Sequence, residues 1–192
     1  MPNPILKNKH NLKKTKKLVE KFLLSNNGIV MFFDEGRFGL QSTYTRIWSM
    51  KGQGTEVKVK QGYKNVYVYS AVCPFSGESL SLILPGVDTE LMNVYLSELS
   101  RSLSGKKVLL IMDQAGWHRS KGLKSKKNIK IIYQPSYSPE LNPVERLWKW
   151  LKRETLHNRV YESLEQLIEN IEDAYKLLNK EKFKILCACN YL

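Results

Sequence analysis

Short apolar runs set the rhythm of the chain. Ile29–Phe33 is apolar throughout, follows the turn signal Asn26-Asn27-Gly28 and finishes at Asp34, which predicts a buried strand. Val108–Met112 repeats the pattern and finishes at Asp113. Strands without a polar face belong inside a sheet covered on both sides. Val66, Val68, Ser70 and Val72 alternate with Tyr67, Tyr69 and Ala71, a strand pattern, and Ser79–Leu84 reads as its hairpin partner across Pro74–Gly77. Thr45–Met50 reads as a further strand, with Gly36 and Gly39 marking a turn before it and residues 51–54 a loop after it. Ile129–Tyr133 is the last strand, and a loop with Pro135, Pro139 and Pro143 follows.

Helical spacing fills the gaps. Residues 11–25 carry a partial stripe of Leu18, Phe22 and Leu23. Asp88-Thr89-Glu90 opens a helix that runs toward Leu103 and stops at Gly105. Asn142 is a good N-cap, Pro143 suits the first helical position, and Val144, Leu147, Trp148 and Leu151 form the apolar stripe of the helix that follows. Ser163, with Gln166 three residues on, caps a final helix bearing Leu164, Leu167, Ile168, Ile171, Tyr175 and Leu178. The order of elements predicts an α/β fold: a mixed sheet with helices on both faces.

Composition narrows the functional classes. The 192 residues suit one domain, and 42% apolar with 26% charged residues is ordinary for a globular chain. No apolar run approaches the ~20 residues that span a bilayer, and no apolar segment follows the basic start as a secretory signal requires. The expectation is therefore a chain with no membrane partner. Three cysteines, two of them at 187 and 189, form no disulfide framework and suit a reducing cytoplasm. The same three cysteines and three histidines offer no zinc-ligand spacing.

Charge changes the picture most. Lys and Arg number 31 against 18 Asp and Glu, a net +13 that points to a polyanion, usually nucleic acid. The excess is clustered. Residues 1–22 hold Lys7, Lys9, Lys13, Lys14, Lys16, Lys17 and Lys21 against Glu20 alone. Residues 119–130 hold Arg119, Lys121, Lys124, Lys126, Lys127 and Lys130 with no acid, whereas residues 160–181 are acidic. A basic housekeeping protein that binds ribosomes would explain this charge but not the acids below.

Asp34 and Asp113 each end an apolar strand, and ligands of open α/β sheets sit beyond such ends. If the strands are parallel neighbours, the two carboxylates stand side by side. Like charges so placed repel unless a cation lies between them, and a hard divalent ion is the usual solution. Each Asp could equally end a strand or cap a turn. Glu145, three residues after Asn142, could be a capping-box acid; it also shares a polar flank with Lys149 and Lys152, which suits an ion beside a phosphodiester backbone.

Three blocks carry a family resemblance: Phe33-Asp34-Glu35-Gly36-Arg37-Phe38-Gly39-Leu40, Asp113-Gln114-Ala115-Gly116-Trp117-His118-Arg119-Ser120, and Tyr137-Ser138-Pro139-Glu140-Leu141-Asn142-Pro143-Val144-Glu145. In order and spacing, with 31 residues between Asp113 and Glu145, they resemble the DDE transposases, most of all the bacterial insertion sequence 630 branch of the mariner superfamily. The resemblance covers Gly28 to His157. It implies a ribonuclease-H-like fold built on a mixed five-stranded sheet, with Asp34 on the first strand, Asp113 on the fourth and Glu145 on a later helix. It implies two Mg2+ or Mn2+ ions held by Asp34, Asp113 and Glu145, and an enzyme that cleaves transposon ends and joins them to target DNA.

Several expectations follow from that resemblance. His118, Arg119, Lys121, Lys149 and Lys152 should contact DNA phosphates. Residues 1–27 form a basic linker and helix, and residues 28–192 the catalytic domain; the helix-turn-helix that reads transposon ends in such enzymes is expected to lie outside these 192 residues, for example on the product of an upstream reading frame. The partners are DNA and a second copy in a homodimer, and the location is the cytoplasm, at the bacterial nucleoid. Gln114 stands where many relatives have Asn. The alternatives are an inactive or repurposed remnant that binds DNA without catalysis, and a ribonuclease H or junction nuclease, which would not be expected to carry the Ser138–Pro143 block.

Overall fold

The computed structural model describes residues 16–24, 27–41, 43–46, 48–52, 62–135 and 138–189. Five strands form one mixed sheet in the order β3-β2-β1-β4-β5. They are β1 (Gly28–Gly39), β2 (Asn65–Val72), β3 (Ser79–Leu84), β4 (Lys107–Met112) and β5 (Ile129–Tyr133). β1, β2 and β3 pair antiparallel, whereas β1, β4 and β5 run parallel. Helix α1 covers residues 16–23, and α2 (Thr89–Ser102), α3 (Val144–Thr155), α4 (Leu164–Lys176) and α5 (Lys180–Leu186) follow. The expected mixed five-stranded sheet with helices on both faces is the observed architecture.

The apolar strands are explained by two cores. Val30 and Phe32 of β1, with Leu109 and Ile111 of β4, face the layer of α1, α3, α4 and α5, where Val19, Leu147, Trp148, Leu151, Leu167, Ile171 and Phe183 pack. Ile29, Met31 and Phe33, with Val108, Leu110 and Met112, face α2 through Met92, Tyr95, Leu96 and Leu99. Because a strand alternates faces, β1 and β4 must be apolar at every position to fill both cores. On the α2 side, Phe33 lies 4.8 Å from Tyr95 between ring centroids, and the Tyr95 hydroxyl donates to the Leu80 carbonyl at 2.9 Å.

Local capping signals appear where the sequence places them. Asp88 accepts from Leu91 N at 2.8 Å, Ser163 from Gln166 N at 3.3 Å, and Gly105 takes φ +81 just after α2. The hairpin between β2 and β3 closes through Cys73 and Glu78, and Gly77 there has φ +72. A Cβ on Gly77 would stand 2.0 Å from the Lys180 carbonyl oxygen, so only glycine lets the hairpin meet α5.

Three expectations are corrected. Gly36 and Gly39 do not turn the chain; β1 continues through both, because residues 32–39 pair with β2. Thr45–Met50 is not a strand: its described residues are irregular, and the neighbouring Thr43 makes only an isolated bridge to His157. The extended β1 already occupies the edge of β2 where such a strand would pair. The last helix is two helices. α4 ends at Lys176, and Asn179 caps α5 by accepting from Lys182 N at 2.9 Å. Residues 11–15 and 25 of the first predicted helix, Ile47 of the expected strand, and positions 53–54 of the expected loop lie outside the described residues. Among the described residues no helix is long and apolar enough to cross a membrane.

Candidate active site

The parallel register of β1 and β4 brings Asp34 and Asp113 level, although Asp34 does not end its strand as expected: it lies inside β1, which pairing with β2 carries on to Gly39. Phe32 pairs with Ile111, so Asp34 and Asp113 each stand two residues farther along neighbouring strands. Val30, Phe32 and Asp34 alternate onto the α3 side, as do Leu109 and Ile111. The two acids thus leave the same end of the sheet beside the helix that carries Glu145 in its first turn.

Asp34 is half-buried, whereas Asp113 and Glu145 are exposed. Its Oδ2 accepts from the indole Nε1 of Trp148 at 2.9 Å. Burial pushes its carboxyl up to about 7, the charge of Glu145 pushes the same way, the Trp148 bond opposes, and Glu35 and Asp113 add smaller upward pushes. Asp34 thus feels the charges of both Glu145 and Asp113. No Lys or Arg ion pair reaches Asp34 or Glu145 among the described residues.

Asn142 fixes where α3 starts. Its side-chain amide donates to the Phe33 carbonyl at 2.9 Å, the residue before Asp34, and its Oδ1 accepts from Val144 N at 3.2 Å. The cap therefore differs in detail from the expected one: Pro143 is the half-in residue, and Asn142 ties the helix start to β1. Upstream, Gln134 donates to the Leu141 carbonyl at 3.0 Å, Gln114 to the Gln134 carbonyl at 2.8 Å, and Arg119 to Gln114 Oε1 at 3.2 Å. Gln114, the departure from the family's usual Asn, joins the connection after β4 to the one after β5.

Asp113 is held from the other side. Its Oδ1 accepts from His118 Nδ1 at 2.7 Å and from Ala115 N at 3.0 Å. His118 Nε2 donates to Glu35 Oε1 at 2.8 Å, and the same oxygen accepts from Trp117 Nε1 at 3.0 Å. With a carboxylate at each ring nitrogen, the imidazole donates from both and is cationic. Burial alone would lower its pKa; the bonds to Asp113 and Glu35 outweigh this and raise it to about 9. The His118 bond, against burial, in turn holds the Asp113 carboxyl below its usual range. His118 is 1% exposed and the Glu35 side chain 7%, whereas the Asp113 side chain is 55% exposed.

This placement separates the expected phosphate contacts. Arg119, Lys121 and Lys149 are exposed, and Lys152 is half-buried with Nζ 5.8 Å from the Phe38 ring centroid. His118 is instead enclosed, with both nitrogens engaged. Two residues escaped the sequence reading as site members. Glu35 was read only as part of a motif, and its neighbour Asp34 was the sole hint. Trp148 was read as apolar stripe; its one polar atom was the available signal.

Among the described residues no three His, Cys, Asp or Glu side chains stand close enough together to hold an ion as they are. The donor set nevertheless fits a hard divalent cation. Asp34, Asp113 and Glu145 supply oxygen alone, the ligand type such an ion takes.

Known proteins resemble this chain in sequence and in fold. The profile of DDE superfamily endonucleases matches residues 29–168. An uncharacterized protein, y4pE/y4sA, of Sinorhizobium fredii (strain NBRC 101917 / NGR234) is 39% identical over 121 residues, 62% of this chain and 90% of that protein. The insertion element IS630 uncharacterized 39 kDa protein of Shigella sonnei is 28% identical over 150 residues, 74% of this chain and 43% of that protein. In fold, the chain is similar to the Mos1 mariner paired end complex with Mn, with TM-score 0.72 and 15% identity over 97% of this chain and 60% of that one. It is also similar to the catalytic domain of Mos1 mariner transposase, with TM-score 0.66 and 16% identity over 97% of this chain and 89% of that one. The sheet order and these likenesses make the fold ribonuclease-H-like. The chain belongs to the DDE superfamily endonucleases.

Proposed function

We propose that this chain cuts DNA at the ends of a mobile element and joins the freed ends to target DNA. The observation that carries the reading is the level placement of Asp34 and Asp113 on one face of a parallel strand pair, with Glu145 opening the adjacent helix and electrostatically coupled to Asp34. Asp34, Asp113 and Glu145 would hold two Mg2+ or Mn2+ ions. Bound there, such ions supply the Lewis acidity that activates water or a 3′-hydroxyl and stabilises the departing oxygen of the phosphodiester.

The chain's own residues do the rest. His118, braced by Glu35 and Trp117, holds Asp113 by one oxygen. The reading of His118 thereby moves from phosphate contact to support of Asp113. Arg119, Lys121, Lys149 and Lys152 contact phosphates and position the duplex, which sets affinity and salt dependence but carries no base information. Recognition of element ends then falls to a base-reading element outside the contacts named here, and the working assembly is a homodimer on DNA. Such an enzyme acts at the bacterial nucleoid.

The test is nicking of DNA bearing the element's own terminal repeats, with Mn2+, with Mg2+ and with a chelator. Ion-dependent nicks at the repeat ends are expected. Binding to the repeat without any ion-dependent cleavage, with or without the upstream product, would favour a remnant that only grips DNA. Binding by this chain alone should be steeply salt-dependent. A preference for the repeat over a scrambled duplex beyond about a hundredfold at high salt would contradict the phosphate-only reading.

A further inference from the structure

We infer that Trp148 is a positioning residue whose indole N–H, seated on Gly36, fixes Asp34 and docks the Glu145-bearing helix against it. The inference rests on the ion site proposed above and says how that site is kept in shape.

Trp148 lies one helical turn after Glu145, so the two residues share a side of α3. Its ring is 3% exposed and lies against β1 over Gly36. A Cβ at Gly36 would come within 2.8 Å of Trp148 Cδ2 and 2.9 Å of Cε3. Any side chain there would push the ring off the strand. Phe38, two residues farther on the same face, meets the ring edge-on, with centroids 6.1 Å apart and an interplanar angle of 75°. Glycine below and phenylalanine beside the ring leave one seat, and in that seat Nε1 points at Asp34, two residues before Gly36.

Burial of α3 alone does not need a tryptophan. A leucine or phenylalanine would bury similar apolar surface without a polar atom to satisfy. Here that polar atom is spent on an acid. An indole N–H donates, carries no charge and does not titrate in water. It favours the ionised carboxylate, yet unlike a lysine or arginine it puts no positive charge where a divalent ion would bind. It takes Oδ2 only; Oδ1 makes no hydrogen bond among the described residues and remains for an ion. The same contact joins β1 to α3 at the point where their acids must meet. It also explains a glycine inside a strand, where glycine otherwise weakens pairing.

The test is Mn2+ binding by the purified full chain, read as loss of the free-ion electron paramagnetic resonance signal. Wild type, Asp34→Asn and Trp148→Phe are compared, with thermal melting alongside. Trp148→Phe keeps an aromatic ring in the seat and removes the donor together with part of the indole volume. The expected result is Mn2+ affinity weaker by about tenfold, the size of one lost hydrogen bond to a charged group, with a melting temperature lowered by the lost packing but a cooperative transition retained. Trp148→Phe binding Mn2+ as tightly as wild type, while Asp34→Asn does not bind, overturns the inference and leaves the ion site standing. Failure of wild type to bind, or undiminished binding by Asp34→Asn, overturns the ion site and the inference with it. Should Trp148→Phe not fold, the indole 15N–1H resonance of Trp148, assigned through its contacts with Gly36 and Phe38, decides. It is expected to move between wild type and Asp34→Asn, and an unmoved resonance overturns the inference.

Discussion

Where β1 and β4 begin, charge is matched at short range. Lys106 pairs with Glu78, whose carboxyl is held below its usual range first by that bond, against burial. Asn27 donates to the Gly105 carbonyl at 3.2 Å, and its own carbonyl accepts from Lys107 N at 2.8 Å. Beyond the Phe32–Ile111 pair, where β1 and β4 part, Asp34 feels the charges of Glu145, Glu35 and Asp113, and His118 bonds two of these acids, Glu35 and Asp113. One end of the strand pair satisfies its charges, and the other leaves negative charge in excess. A fold tolerates such an excess when a bound cation relieves it. The contrast supports the ion site proposed at the end where Asp34 and Asp113 stand level.

The largest expected effect comes from removing an acid at that end. Asp113→Ala should lower cleavage by roughly 10^4-fold or more, as loss of one member of a catalytic unit does. DNA affinity measured at fixed salt should stay equal or rise, because one repulsion toward phosphate is gone. Nicking unchanged by this substitution would place the activity elsewhere and end the contrast between the two ends.

His118→Ala tests whether the imidazole between Glu35 and Asp113 is a support. Cleavage and Mn2+ affinity should both fall by about 10- to 100-fold, the usual cost of losing a residue that orients a ligand. Full activity and wild-type ion binding would reduce Glu35, Trp117 and His118 to loop packing.

Asp34→Asn sharpens the comparison through stability. Replacing a crowded, half-buried carboxylate with its neutral isostere should raise the melting temperature of the ion-free chain, by about 2–4 °C for each kcal/mol of repulsion relieved. Mg2+ should then stabilise wild type and leave the variant unchanged. A variant that melts lower without ions would mean that Asp34 is not under like-charge strain.

At the matched end the effect should be small. Glu78→Gln should cost well under about 1 kcal/mol, as expected for a partly exposed pair. Because the folded carboxyl titrates below its unfolded value, that stability is present above the unfolded pKa and is lost as pH falls through the folded one. Urea melts at neutral and acid pH give the difference. A loss larger than that of any substitution at the carboxyl end would reverse the comparison.

Much of this was legible in the residues themselves. The β2–β3 hairpin, the capped starts of α2 and α4, and the double-sided burial of β1 and β4 follow from turn signals, side-chain oxygens within three residues of a free N–H, and unbroken apolar runs. Each is a local cause, acting over a few positions of chain. The same locality explains the errors. Gly36 and Gly39 look like a turn from their neighbours, and only pairing with β2 across the sheet keeps them extended. Leu178 continues the spacing of α4, yet the chain turns before Asn179 to cap α5 and bring Phe183 into the core.

The sequence by itself determined that two acids follow apolar strand segments and a third opens a helix, amid a basic chain. Tertiary structure alone decided that the two strands are parallel neighbours in a register that makes Asp34 and Asp113 level. It decided that His118 turns inward between two carboxylates instead of outward to a phosphate, and that Trp148 spends its one donor on Asp34. The physical reason is range. Helix caps, turns and alternation are set by contacts within a few residues, whereas facing and charge environment here depend on groups 83 and 114 positions apart in the chain.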